Sequence, residues 1–82
     1  MKNTITIYGT WWCGHCSSVR RFFDRNQLTY IWVDIDKDEK GEKFVITTNN
    51  GMRSVPTIVF KDGSILVEPT EAQLLQKIQS VL

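Results

Sequence analysis

Cysteine and proline are scarce in this sequence, two of each in 82 residues, and there is a single histidine. No apolar run approaches the about 18 to 20 residues that a membrane-spanning helix needs. Cys13, His15 and Cys16 are three potential metal ligands, one short of a closed four-ligand site. A zinc or iron-sulfur module, the alternative from another class, would therefore need a dimer or an external thiol. An excess of charge is also missing, with ten basic residues against nine acidic ones. That balance argues against a nucleic-acid or acidic-membrane partner and for a neutral or small one. Met1 runs straight into a strand pattern with no cationic-apolar leader, so the expectation is a cytoplasmic protein. Repeats, linkers and low-complexity stretches are absent. The 41% hydrophobic content fits one domain over residues 1–82, a length at which a single core can hold without staples. A monomer is expected.

What is present is Cys13-Gly14-His15-Cys16, between a strand-like run and a helix-like run. Two cysteines three apart at a helix start have Cα atoms about 5 to 6 Å apart, within the window for a disulfide. The ring closed by that bond removes little loop entropy from the unfolded chain, so it is a poor staple. Its use is exchange chemistry, the usual reading of a lone C-x-x-C beside a βαβ pattern in a reducing compartment.

Thr4 to Tyr8 alternates as a strand, and Gly9-Thr10 is read as its break. Cys16, Val19, Phe22 and Phe23 give the next segment an apolar helical stripe, predicting a helix of roughly 12 to 14 residues. Tyr30 to Ile35 reads as a strand with Ile31, Val33 and Ile35 on one face, while Trp32 and Tyr30 cover a strand face. A right-handed crossover makes the two strands parallel, with the C-x-x-C beyond the carboxyl end of the first. Asp38 to Thr48 is predicted helical, weakened by Gly41 and ended by a left-handed cap at Asn49-Asn50-Gly51. Thr57–Phe60 and Ser64–Val67 flank a turn at Lys61-Asp62-Gly63, the first strand central and the second at an edge. Thr70-Glu71-Ala72-Gln73 has capping-box spacing before a terminal helix whose apolar stripe is Leu74, Leu75, Ile78, Val81 and Leu82.

This β-α-β-α-β-β-α order, with Trp12-Cys13-Gly14-His15-Cys16 in the first loop and Val55-Pro56-Thr57 before the third strand, resembles the thioredoxin superfamily in its short glutaredoxin form. The resemblance implies an α/β fold, a four-stranded mixed sheet with three helices. The stretch Asn49 to Thr57, followed by Phe60-Lys61-Asp62-Gly63-Ser64, is most similar to mycoredoxins, which reduce mixed disulfides with mycothiol. Typical glutaredoxins hold the γ-glutamyl end of glutathione with a Gly-Gly pair and an acidic residue after the hairpin. Val67-Glu68 and Thr70 stand there instead. The ribonucleotide-reductase-donating redoxins carry a Trp-Ser-Gly-Phe segment that this chain lacks.

Cys13, at the helix tip where unpaired N–H groups and the positive dipole end favour an anionic sulfur, is the expected nucleophile. Cys16, one turn inward, resolves the resulting mixed disulfide. His15 and Gly14 are candidate tuning residues: a protonated His15 favours a Cys13 thiolate, and protein disulfide isomerase domains resemble this Cys-Gly-His-Cys. The competing reading is a solvated loop histidine. The resemblance implies a cis Val55-Pro56 peptide that offers the Val55 backbone to an extended thiol substrate. Trp12 is expected as an apolar wall for the substrate while Trp11 packs beneath the loop. Thr10 and Tyr8 line the same cleft or simply end a strand, and Arg53 either binds a substrate carboxylate or is solvated. Arg20, Arg21 and Arg25 are expected on the solvent face of the first helix. No bound cofactor is implied. The expected partners are a low-molecular-weight thiol (mycothiol, glutathione or another), disulfide-containing proteins, and an upstream thiol or flavoprotein disulfide reductase. The alternative within the superfamily is a general protein disulfide reductase or an electron donor to one specific reductase.

Overall fold

The computed structural model describes residues 4–81. Its elements are β1 (Thr6–Gly9), α1 (Gly14–Arg25), β2 (Ile31–Asp34), α2 (Glu39–Thr48), β3 (Thr57–Val59), β4 (Ile65–Val67) and α3 (Glu71–Val81). The four strands form one mixed sheet in the order β2-β1-β3-β4. β1 runs parallel to β2 and antiparallel to β3, and β3 pairs antiparallel with β4.

Alternation along the strands assigns the two faces of the sheet. Ile7, Trp32, Ile58 and Leu66 stand in register on one face, where they meet Val19, Phe22 and Phe23 of α1 and Leu74 and Ile78 of α3. Burial of each large side chain in this core contributes about 1.5 to 3 kcal/mol. α2 covers the other face, with Phe44 stacked on Tyr8 at 4.7 Å between ring centroids. Gly41, a weak residue for a helix interior, has a packing reason: a Cβ there would lie 2.6 Å from Val33 Cγ1.

The helix ends obey local chemistry. Asp38 caps α2 by accepting from the Gly41 N–H at 3.0 Å. Asn50 and Gly51 then take positive φ while the Gly51 N–H donates to Ile46 O at 2.7 Å, closing the helix as expected. Thr70 and Gln73 form the reciprocal capping box, with bonds of 2.8 and 3.1 Å. α1 ends in the same way with less suitable chemistry. Gln27 sits at φ 56° while Leu28 N–H reaches Phe23 O at 2.9 Å. A non-glycine side chain there costs about 1 to 2 kcal/mol, partly offset in glycine by its larger unfolded-state entropy. Gln27→Gly is therefore expected to stabilise the fold by about 0.5 to 1 kcal/mol in urea unfolding; a loss of stability would contradict this strain.

Four expectations need correction. Gly9 does not break β1. It is the last paired residue, opposite Asp34, and its carbonyl accepts from Ile35 N–H. Ile31 shares the pattern of Val33 and Ile35 yet is exposed, because β2 is an edge strand. Leu75 is 47% exposed, since Leu74 and Ile78 already supply the buried stripe. Arg20 is half-buried against two indoles. The Val81 side chain and Leu82, named in the same stripe as Leu75, lie outside the described residues.

Candidate active site

The loop from Thr10 to Cys13 leaves the carboxyl end of β1 and delivers Cys13 to the N-cap of α1. There the Cys13 backbone is extended and its Sγ accepts the Cys16 N–H at 3.1 Å. One otherwise unpaired helix N–H is thus satisfied by sulfur. Cys13 is half-buried and Cys16 fully buried. Burial pushes the Cys16 thiol up from its usual 9 to about 12, reinforced by the side-chain hydrogen bond with Cys13 and opposed by the Thr10 backbone and Arg20. The pair is therefore asymmetric, with one reachable sulfur and one enclosed thiol.

This asymmetry has a consequence for stability. A thiol whose value is raised in the fold contributes stability that is complete below the unfolded value of 9 and is lost as pH climbs towards 12. The reduced protein is expected to lose roughly a few kcal/mol across that interval in urea unfolding, whereas the oxidised protein, with no Cys16 thiol to ionise, lacks this contribution. Equal loss in both forms would contradict the assignment.

Gly9 is the seat of the buried sulfur. A Cβ at Gly9 would lie 2.7 Å from Cys16 Sγ and 2.7 Å from Trp32 Cη2, so only glycine lets both approach. Gly14, by contrast, has open space around it. Continuing the antiparallel register Tyr8↔Thr57 by one residue places Pro56 beside Gly9. Val55-Pro56 is cis, as the family resemblance implied. Pro56 O accepts from Glu68 N–H at 2.9 Å. Among the described residues the Val55 N–H and C=O have no hydrogen-bond partner.

The remaining candidates fall into two groups. Trp12 is 72% exposed and donates its indole N–H to Asp36 at 2.9 Å. Arg53 forks between Asp36 at 2.6 Å and Glu42 at 2.7 Å. Arg53, followed by Trp12, holds the Asp36 carboxyl below the usual range, and Glu42 and Asp36 together raise Arg53. Trp12 and Arg53 are thus joined through Asp36, which sequence reading placed only within an acidic stretch. Its bonds to Trp12 and Arg53 span 24 and 17 residues, beyond any local spacing signal.

His15 lies apart from that network. Its Nε2 donates to Pro69 O at 2.8 Å, tying the first turn of α1 to the entry of α3. Thr10 is fully buried, and its Oγ1 has no hydrogen-bond partner among the described residues. Tyr8 lies under α2 through its Phe44 contact rather than among the sulfur-facing groups; burial and then Asp38 raise its phenol. Trp11 is tilted against Trp32 with 5.0 Å between centroids. Among the described residues no group of three or more His, Cys, Asp or Glu side chains converges to hold a metal.

The glutaredoxin family model matches residues 5–65 of this chain. A Mycobacterium tuberculosis protein named as a glutaredoxin, Rv3198A, is 36% identical over 77 residues, covering 94% of this chain and 92% of the relative. Mycoredoxin 1 of Corynebacterium glutamicum is 34% identical over 79 residues, covering 96% and 98%. Among solved structures, glutaredoxin grx-1 of Archaeoglobus fulgidus superposes with a TM-score of 0.75 at 26% identity, covering 94% of this chain and 87% of that one. The thioredoxin-like protein BC3987 gives a TM-score of 0.75 at 25% identity, covering 96% and 100%.

Proposed function

This chain belongs to the glutaredoxin family of thiol-disulfide oxidoreductases, and we propose that it reduces mixed disulfides between proteins and a low-molecular-weight thiol, with mycothiol preferred over glutathione. The observation that carries the chemistry is the sulfur pair: half-buried Cys13 Sγ accepting the Cys16 N–H, with the Cys16 thiol fully enclosed beneath it. The Cys13 thiolate attacks one sulfur of the substrate disulfide, forming a Cys13 mixed disulfide and expelling the first thiolate, which takes up a proton. Cys16, giving up its proton, attacks Cys13 Sγ; the internal disulfide forms and the second thiol leaves. Two equivalents of an external thiol, leaving as their own disulfide, or a flavoprotein disulfide reductase return two electrons to the ring, which reopens as two thiols. No bound cofactor or metal takes part, and a monomer in the cytoplasm suffices. The Val55 backbone supplies edge pairing for the substrate.

The preference for mycothiol draws on Glu68. This residue holds φ 49°, a conformation costly for a side chain other than glycine. Its N–H is pinned to Pro56 O, so the Glu68 backbone lies beside the Val55-Pro56 segment, with its side chain exposed. Val67 and Glu68 stand in the region where typical glutaredoxins carry the Gly-Gly pair that receives the γ-glutamyl end of glutathione, so backbone contacts open to that end in those proteins are obstructed by side chains here, and mycoredoxin 1 is among the relatives of this chain. The test follows turnover of a mycothiol and a glutathione mixed disulfide in parallel. Faster mycothiol turnover, by about tenfold or more, is expected; equal or faster glutathione turnover would overturn the preference.

A second reading, a general protein disulfide reductase, is favoured by the exposure of Trp12 at 72%, an apolar surface next to Cys13 in the chain that suits polypeptide substrates. Reduction of insulin with neither mixed disulfide turned over would establish it.

A further inference from the structure

The guanidinium of Arg20 occupies an unusual environment for a helix-surface arginine. It lies 4.5 Å from the ring centroid of Trp11 and 4.6 Å from that of Trp32. One amino group donates to Ser17 Oγ at 3.1 Å. Its Nε is buried with no acceptor, and so is the nearby Trp32 Nε1. Among the described residues no carboxylate is within ion-pair distance of it. A half-buried cation with an unsatisfied donor and no counter-ion is costly unless a partner arrives at some stage of function.

The position of Arg20 indicates that partner. Arg20 follows Cys16 by one helical turn, and helix side chains lean towards the N-terminus, so the guanidinium stem passes over the residue four before it. Trp32, which supports the guanidinium from below, abuts the same point at Gly9 as Cys16 Sγ. We propose that Arg20, seated against the adjoining rings of Trp11 and Trp32, is the countercharge that appears beside Cys16 when its sulfur becomes a thiolate, and so positions and speeds the resolving half of the exchange. Resting on the two-cysteine mechanism above, this role is confined to its second step. In that step the Cys16 thiolate attacks Cys13 Sγ of the mixed disulfide, the Cys13–Cys16 bond forms, and the departing thiolate takes up the proton that Cys16 released. No electrons are gained or lost overall.

Support comes from the charge balance at this sulfur. Burial and the Cys13 side chain hold the Cys16 thiol up, while the Thr10 backbone and Arg20 act in the opposite sense. A tenfold loss of thiolate is partly offset by the greater nucleophilicity of a more basic sulfur, leaving about three- to fourfold in rate.

The test uses Arg20→Met, which keeps apolar contact with the indoles, and Arg20→Lys, which keeps the cation. Each is made in the native and in the Cys16→Ser background. Protein is mixed with excess 2-hydroxyethyl disulfide, an uncharged probe, then quenched by alkylation and weighed by mass spectrometry. Conversion of the Cys13 adduct to the internal disulfide should slow about three- to fourfold in Arg20→Met and stay within about twofold of native in Arg20→Lys. Adduct formation in the Cys16→Ser background should be the same with Arg20, Met or Lys. Equal slowing of adduct formation would overturn the proposal by showing a structural effect on α1 or a role at Cys13, as would unchanged conversion in Arg20→Met. If the native protein forms adduct but never the internal disulfide, the two-cysteine mechanism itself fails and this role falls with it.

Discussion

Cys13→Ser should abolish turnover of every disulfide substrate, lowering kcat/KM by about a thousandfold or more, the scale on which removal of a covalent nucleophile acts. Cys16→Ser should behave quite differently. Cys13 remains half-buried at the helix N-cap and still accepts the residue-16 N–H, so the first exchange proceeds. With an external thiol to release the adduct, turnover of low-molecular-weight mixed disulfides should persist within about tenfold of native. Protein disulfides, whose release depends on an internal resolving sulfur, should be reduced far more poorly. The measurement is a steady-state comparison of both variants on one mixed disulfide and on insulin. Equal loss in the two variants would show that the sulfurs are not divided into attacker and resolver.

Gly9→Ala is expected to have the second largest effect, although glycine at this position looks like ordinary strand punctuation. The new methyl carbon would sit 2.7 Å from both Cys16 Sγ and Trp32 Cη2, within contacts that real side chains do not make. Neither neighbour has free room, since Cys16 is fully buried in α1 and Trp32 lies under Arg20 and Trp11. Overpacking of this kind costs about 1 to 3 kcal/mol, and each kcal/mol lowers the Tm of a domain this size by about 4 to 8 °C. Displacement of Sγ should also slow internal disulfide formation more than it slows attack by Cys13. Gly14→Ala is the matched control: a Cβ there meets nothing within 4 Å, and alanine is the better helix former. A Tm loss as large in Gly14→Ala as in Gly9→Ala would contradict the steric account.

The contrast between these glycines illustrates what sequence reading reaches. Local patterns were legible: the Ile5 and Ile7 alternation, the Val19, Phe22 and Phe23 stripe, the Asn50-Gly51 stop and the Thr70 to Gln73 box each reflect an interaction within a few residues. Together with the parallel crossover they place the C-x-x-C at the sheet's end. Contacts that depend on tertiary placement were not legible. Gly9 is required by a helix and a neighbouring strand that close over it. Asp36 gains its importance from Trp12 and Arg53, far away in sequence. Arg20 is drawn from the solvent face by indoles at positions 11 and 32. Leu75 and Ile31 fit an apolar pattern, but the sheet edge and an already filled helix stripe leave them exposed.

The direct measurement of the division of labour between the sulfurs is covalent trapping. Cys16→Ser protein is incubated with a mycothiol mixed disulfide in the absence of other thiols, digested without reduction, and mapped by mass spectrometry. The account predicts one adduct per chain, borne by Cys13, and no adduct on Cys13→Ser under the same conditions. An adduct on Cys16 in Cys13→Ser at a comparable rate, or no adduct on either variant while the native protein turns over, would contradict it.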